Sequence, residues 1–317
     1  MRLMTLLMIA ALLVSCSLST VTDGEFSIAT YNAYALFDNV SDGDEYDGFS
    51  KSDGYTSAVY TERVEDLAVF LGKYVDADVI ILEEVESEIV LLDLLEDGLS
   101  DRGYRWYGIA GGETAVNVGF ISRYEPAVAR SHSFDGERAM LELLINTGTD
   151  SIRIYGVHLR SQLEDDSEEV RYGQLSQIRT LSEEHDEDLI IILGDFNVDP
   201  SIGESGIAEY PCSGWSSMPM PVTGDPGSLR DHIRYSAFLD GDLYYEDGTY
   251  YYDSEWYFYD NILLNDLAFD GKGLEFYSQE IIAPAILTDL YGRPQKFDPS
   301  DGSGYSDHLP VMLVLKE

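Results

Sequence analysis

The sequence predicts an α/β fold, on three observations. Short apolar runs rich in β-branched residues recur, above all Asp188–Leu193 (DLIIIL) and Asp78–Val85 (DVIILEEV), and read as strands buried on both faces. Stretches with a helical period lie between such runs. Polar residues stand where the strands end. With 317 residues, 44% of them hydrophobic, the chain can bury a substantial core.

Residues 1–20 stand apart from that core. Arg2 precedes an apolar run from Leu3 to Val14, shorter than the ~20 residues a bilayer span requires. Small residues and Cys16 follow, the layout of a secretory signal peptide. Leu13-Val14-Ser15-Cys16 resembles the lipobox of bacterial lipoproteins, whose cysteine becomes the lipidated first residue. An exported protein is expected, periplasmic or at the cell surface, touching the membrane through this lipid anchor only. Its folded domain spans 21–317. Only Cys212 then remains, so no intramolecular disulfide can form, and it reads as a small buried residue.

Charge is the most unusual bulk property: 19 Lys plus Arg against 59 Asp plus Glu, a net of −40. Non-specific duplex binders neutralise phosphates with basic side chains, and a surface this acidic repels nucleic acid. A divalent metal can still bring a phosphate in locally.

Glu25 to Tyr34 alternates as a strand and carries Asn32 near its end. Asp38 to Tyr55 reads as a solvated loop; its cluster of acids lacks the spacing of a calcium loop. Apolar residues from Tyr60 to Val75 recur at helical spacing, with Thr61 as a cap residue. The Asp78 strand ends in Glu83-Glu84, and alternation lets only one of these acids aim at the rim of the core. A helix over Glu88–Leu99 is followed by strands at Tyr104–Ala110, Val116–Arg123, Ala139–Thr147 and Ser151–Arg160, the last with His158 near its end. Ser167 to Leu181 reads as a helix. The Asp188 strand follows, broken by Gly194, with Asp195 and Asn197 projecting on one side. Residues 199–228 read as irregular surface. Tyr244 to Tyr259 reads as a half-buried aromatic hairpin around Asp247-Gly248, although an aromatic patch can also stack bases. The strand Val311–Leu315 closes the chain.

The polar residues at strand ends are Asn32, Glu84, His158, Asp195, Asn197, Asp260, Asp307 and His308. Carboxylates and amides of this kind hold Mg²⁺ or Mn²⁺. Any one of them has an ordinary reading as loop polarity; their recurrence at the ends of six apolar strands does not.

The ordered motifs TYN (30–32), LEEVE (82–86), GVHL (156–159), GDFN (194–197), YDNIL (259–263) and SDHLP (306–310) resemble the endonuclease/exonuclease/phosphatase superfamily. The resemblance runs from about residue 25 to the end. It implies a four-layer α/β/β/α sandwich of two mixed sheets flanked by helices, DNase I-like. It also implies Mg²⁺-dependent phosphoester hydrolysis, with Mn²⁺ as the alternative ion. Carried over by motif, Glu84 is the principal metal ligand with Asn32 beside it, and Asp307 completes the metal and water network. Asp195 orients or deprotonates the attacking water, Asn197 holds the phosphoryl oxygen and His158 donates to a non-bridging oxygen. Asp260 pairs with His308. The general base stays open between Asp195 and the His308–Asp260 pair. Glu83 stands where the family often has Gln, and Asn261 where Tyr, His or Arg is common. Arg171 and Gln174 resemble an Arg-x-x-Gln pattern of bacterial members, which makes Arg171 a candidate phosphate contact.

The leading expectation is thus a monomeric, metal-dependent phosphodiesterase, a nuclease acting on DNA or RNA. A hydrolase of lipid headgroups (sphingomyelinase-like) or of small phosphate esters is the alternative. A non-catalytic binding lipoprotein on the same fold is the third reading.

Overall fold

The computed structural model describes residues 24–317 apart from 113, 163–166, 202–206, 210–218 and 231. The leader and lipobox expected at 1–20, with Cys16, and the lone Cys212 lie outside the described residues. The apolar and alternating runs form strands, in chain order β1 (Glu25–Leu36), β2 (Val79–Val85), β3 (Trp106–Ala110), β4 (Asn117–Ser122), β5 (Val128–His132), β6 (Met140–Asn146), β7 (Ser151–His158) and β8 (Leu189–Asp195). They continue as β9 (Ile207–Glu209), β10 (Met220–Thr223), β11 (Arg234–Ser236), β12 (Tyr250–Tyr252), β13 (Glu255–Tyr257), β14 (Asp260–Leu264), β15 (Glu275–Ile281) and β16 (Val311–Lys316). The longer helices are α1 (Ser57–Phe70), α2 (Glu88–Leu94) and α3 (Ser167–Glu183).

A six-stranded sheet has the order β15-β16-β1-β2-β4-β3, and an eight-stranded sheet the order β5-β6-β7-β8-β14-β11-β10-β9. Both are mixed, since β1 runs parallel to β2 and β7 parallel to β8 within otherwise largely antiparallel neighbours. The sheets stack face to face. Phe26, Ile28, Val79, Ile81 and Leu313 of the first meet Leu143, Ile154, Ile191, Leu193 and Ile262 of the second. Each fully buried side chain of this size is worth about 1.5–3 kcal/mol. Val64 and Leu67 of α1 and Leu91 and Leu94 of α2 cover the outer face of the first sheet. Leu175 and Ile178 of α3 cover that of the second, against Tyr155, Val157, Ile190 and Ile192. The result is the α/β/β/α sandwich, with β2 and β8 buried on both faces.

The structure differs from five local expectations. Helix α1 is capped by Thr56, whose side chain accepts from the Val59 N–H, and Thr61 lies inside the helix. Strand β8 does not break at Gly194 but runs on to Asp195, which pairs with His158 on one side and Asp260 on the other. Gly194 has φ +141°, and a Cβ there would lie 1.9 Å from the Val157 carbonyl oxygen, so only glycine fits. The aromatic hairpin β12–β13 turns at Asp253-Ser254, both left-handed with φ 47° and 70°, the signature of a type I′ connection. Gly248 instead passes close to the backbone of Tyr257. Strands β5, β11 and β15 were not expected; β5, for one, is mostly exposed, so no apolar pattern marks it. The stretch 199–228, expected as irregular surface, contains β10, whose four residues are all buried.

Candidate active site

The inner strands β1, β2, β7, β8 and β14 end at one rim, where the motif residues gather. Strand β2 is bulged between Leu82 and Val85, and β1 between Asn32 and Leu36. A bulge re-aims a side chain: Glu84 takes a left-handed φ of 61° and points into the rim. Tyr34 and Ala35 opposite are also left-handed, with φ 52° and 45°. The bulges hold each other, since Ala35 N–H donates to Glu84 Oε2 at 2.6 Å. Such backbone costs about 1–3 kcal/mol per residue and persists only where the surroundings enforce it.

The polar tips form a row. Glu84 Oε1 lies 3.9 Å from His158 Nε2, which is 3.5 Å from Asp195 Oδ2. Asp195 Oδ2 is in turn 3.9 Å from His308 Nε2, and Asp307 Oδ1 lies 4.0 Å beyond that nitrogen. His308 Nδ1 meets Asp260 Oδ2 at 2.7 Å. Residues from most of the chain's length thus share one cleft.

Asn32 presents its amide nitrogen to this row, donating to Asp195 Oδ2 at 3.1 Å and to Glu84 Oε1 at 3.4 Å. Its oxygen accepts from the Tyr34 N–H. In this arrangement its amide nitrogen lies between the two carboxylates. Asn197 is left-handed, φ 52°, so the strand alternation stops before it. Its backbone N–H donates to Asp195 Oδ1, and its amide to the Leu159 carbonyl. Asp307 is shared with Lys296, whose Nζ is 3.4 Å from Oδ2. Asn261 is buried, its oxygen accepting from Ser236 Oγ and the Ile262 N–H, and so does not line the cleft.

Arg171 is corrected most. It is buried, not exposed, and donates to the Arg160 carbonyl at 2.7 Å, while Gln174 Oε1 accepts from the Arg160 N–H. The Arg-x-x-Gln pair of α3 grips the segment that follows His158. Sequence reasoning missed Arg138, which is half-buried with an Nε that has no partner among the described residues. Its charge is felt by His158. Arg138 directly precedes the Ala139 run read as a strand, and a cation at the start of an apolar strand is a signal that could have found it.

Burial pushes the Asp195 carboxyl up to about 7, the His308 charge drawing it down and that of Asp260 adding to the rise. Burial, with the nearby positive charges of Arg138 and His308, holds His158 well below its usual range, so the ring is neutral. For His308 burial favours the neutral ring, but the charges of Asp260 and Asp195 outweigh it and hold the imidazole well above its usual range. Glu84, Asp195 and Asp307 offer the oxygen donors that Mg²⁺ or Mn²⁺ prefers. Asp195, Asp260 and His308 bring ligand atoms within 4.8 Å of one another, and Asp260 Oδ1 is buried with no partner among the described residues, so the donors at this rim fit a divalent cation.

Glu83 lies beneath the row, fully buried, its Oε1 accepting from Thr30 Oγ1 at 2.6 Å. Burial raises its carboxyl well above the usual range; the Thr30 hydroxyl opposes this only in part. Folding therefore takes up a proton at Glu83 once pH exceeds the unfolded value of about 4.3. Stability is full below that value and falls as pH climbs through the folded one. Glu83→Gln removes this loss. In metal-free buffer its Tm should exceed that of the parent protein at pH 8, by roughly 2–4 °C for each kcal/mol recovered, and match it at pH 4. A lower Tm at pH 8 contradicts the assignment.

A paired-sheet sandwich with carboxylates and two imidazoles gathered at one rim is the DNase I-like fold. The model of the Endonuclease/Exonuclease/phosphatase family matches residues 29–308, and the chain belongs to that family. Among solved structures, a humanized D. rerio TDP2 carrying 14 mutations is 14% identical with a TM-score of 0.61, covering 93% of this chain and 100% of its own. A Bacteroides thetaiotaomicron protein of the family is 14% identical with a TM-score of 0.55, covering 92% of this chain and 97% of its own. One from Leptotrichia buccalis is 15% identical, TM-score 0.55, covering 92% and 100%. At these identities the likeness is one of fold. No curated protein matches the sequence.

Proposed function

We propose that the protein is a Mg²⁺-dependent phosphodiester hydrolase whose substrate is nucleic acid. The convergence of Glu84, His158, Asp195 and the His308–Asp260 pair on one rim carries this reading. Glu84 and Asp307 would hold the cation, which when bound supplies charge against the developing phosphoryl oxyanion. Neutral His158 donates through Nε2 to a non-bridging oxygen. Asp195, poised near neutrality, orients the attacking water and takes its proton. His308, charged through Asp260, stabilises the departing alkoxide from the other side. Asn197 fixes the Asp195 carboxylate through its N–H. A solved D. rerio TDP2, 17% identical with a TM-score of 0.57, is complexed with single strand DNA product, which supports a nucleic-acid substrate on this fold.

The net charge of −40 favours a second reading, hydrolysis of a phospholipid headgroup or small phosphate ester. Incubation with DNA, RNA, sphingomyelin and inositol phosphates, each with Mg²⁺ or EDTA, separates them. Mg²⁺-dependent release from nucleic acid is expected; release from sphingomyelin alone selects the second reading, and no turnover of any substrate sinks both. We further propose that residues 1–20 direct export and that Cys16 carries the lipid. Cys16→Ser should then move the protein from the membrane to the soluble fraction of a bacterial host. Unchanged fractionation refutes the anchor.

A further inference from the structure

The hairpin β12–β13 has two unlike faces. Tyr251 and Trp256 pack on each other at 5.1 Å, and Trp256 rests on the core, so this face anchors the hairpin. Arg293 lies over Tyr251 from outside. The other face is a series of tyrosine rings that begins at the catalytic histidine. Tyr250 lies 4.6 Å from the His308 ring, centroid to centroid. Tyr252 follows at 6.3 Å, its plane within 13° of Tyr250, and Tyr259 lies 5.3 Å from Tyr250 within 18°. Tyr257 closes the group 5.1 Å from Tyr259. A backbone bridge between Tyr250 and His308, with Leu309 N–H donating to the Thr249 carbonyl, fixes the series to the row of catalytic groups.

Core packing does not account for this face. Tyr252 is 63% exposed, and Tyr250 and Tyr257 are half-buried. Nearly parallel rings at the mouth of a phosphoester site receive planar groups attached to the phosphate. The hairpin from Thr249 to Tyr259 contains no Lys or Arg but does contain Asp253 and Glu255, so it offers no cation to neutralise phosphates. Nucleic acid reaching it must be held by its bases, and bases are free to stack only in a single strand.

We propose that Tyr250, Tyr252 and Tyr257 form a stacking platform for the bases flanking the scissile phosphate, which makes single-stranded nucleic acid the substrate. This rests on the phosphodiesterase reading above and adds its specificity. Stacking explains how a chain of net charge −40 retains a polyanion without a basic groove. It also predicts binding less dependent on salt than phosphate neutralisation gives.

The test is fluorescence anisotropy of a labelled single-stranded oligothymidylate with the full chain in EDTA, where binding is read without turnover. Tyr252→Ala should weaken binding roughly 5- to 150-fold; Tyr252→Phe and Tyr252→Trp should retain it. An oligomer of the same length made of abasic sites, which can stack on none of the three rings, should bind the parent protein more weakly still than the oligothymidylate binds Tyr252→Ala. Equal affinity of parent and Tyr252→Ala for the oligothymidylate overturns the platform, as does equal affinity for the abasic strand. Sedimentation with phosphatidylcholine–sphingomyelin vesicles that is lost in Tyr252→Ala, with no oligonucleotide binding, also overturns it and gives the rings to a lipid surface. Tyr252-dependent oligonucleotide binding without any Mg²⁺-dependent cleavage supports the platform and refutes only the catalytic reading.

Discussion

His308→Ala should lower phosphodiester turnover by roughly 10²–10⁴-fold, the usual worth of positioned acid–base help. Binding of oligonucleotide should survive. The reason lies in the pair: Asp260 Oδ2 accepts from His308 Nδ1 at 2.7 Å, which fixes the ring and leaves Nε2 facing Asp195 and the cleft. Asp260 itself is fully buried and tied by its N–H to Thr249 Oγ1. Asp260→Asn keeps the shape but removes the negative charge that, against burial, keeps the imidazole protonated. Activity that needs a charged His308 is lost as pH rises through the pKa of that ring. The alkaline limb of the kcat profile should therefore move to lower pH in Asp260→Asn. Asp195→Asn should cost as much as His308→Ala, and the double variant much less than the product of the two, because the groups act as a unit. Turnover by His308→Ala within 10-fold of the parent, or an unmoved alkaline limb in Asp260→Asn, would refute the assignment; the 10-fold margin corresponds to about 1.4 kcal/mol.

The same residues show what a sequence can and cannot disclose. Glu84, His158, Asp195, Asp260 and His308 were legible because a polar group closing a β-branched run has nowhere to go but the rim. Pairing followed from nothing in the sequence: β14 lies beside β8 although some 65 residues separate them, which is how Asp260 comes to face Asp195. Alternation misled where backbones leave the strand region. It placed Asn197 with Asp195, but the left-handed turn sends its amide to Leu159. It left open which of Glu83 and Glu84 faces the rim, which the bulge decides. Arg171 was expected at the phosphate because of the Arg-x-x-Gln resemblance, whereas it is buried and donates to the Arg160 carbonyl. Its neighbours on the buried side, Gln174 and Leu175, were the available hint. The hairpin turn was misplaced because Asp-Gly is the stronger turn signal, whereas Gly248 serves a close backbone approach.

Arg63→Met should destabilise the protein by about 3–5 kcal/mol and weaken its use of Mg²⁺, without touching any group of the catalytic row. Arg63 sits on the apolar stripe of α1 between Tyr60 and Leu67, buried, with its guanidinium over the Phe297 ring at 3.9 Å. It donates to the carbonyls of Ala33, Tyr34 and Ala35. Two of these residues carry the left-handed backbone of the β1 bulge, and it is the Ala35 N–H that holds Glu84 Oε2. Methionine fills the volume but leaves three carbonyls without that donor, each worth about 1–3 kcal/mol when buried and unsatisfied. With nothing gripping it, the bulge should relax toward ordinary strand geometry and carry the Ala35 N–H away from Glu84. Arg63→Lys, able to reach fewer of the three carbonyls, should fall between. Urea unfolding gives the stability and the Mg²⁺ dependence of initial rate gives the second effect. A midpoint and Mg²⁺ requirement equal to those of the parent would show that the bulge holds Glu84 in place unaided.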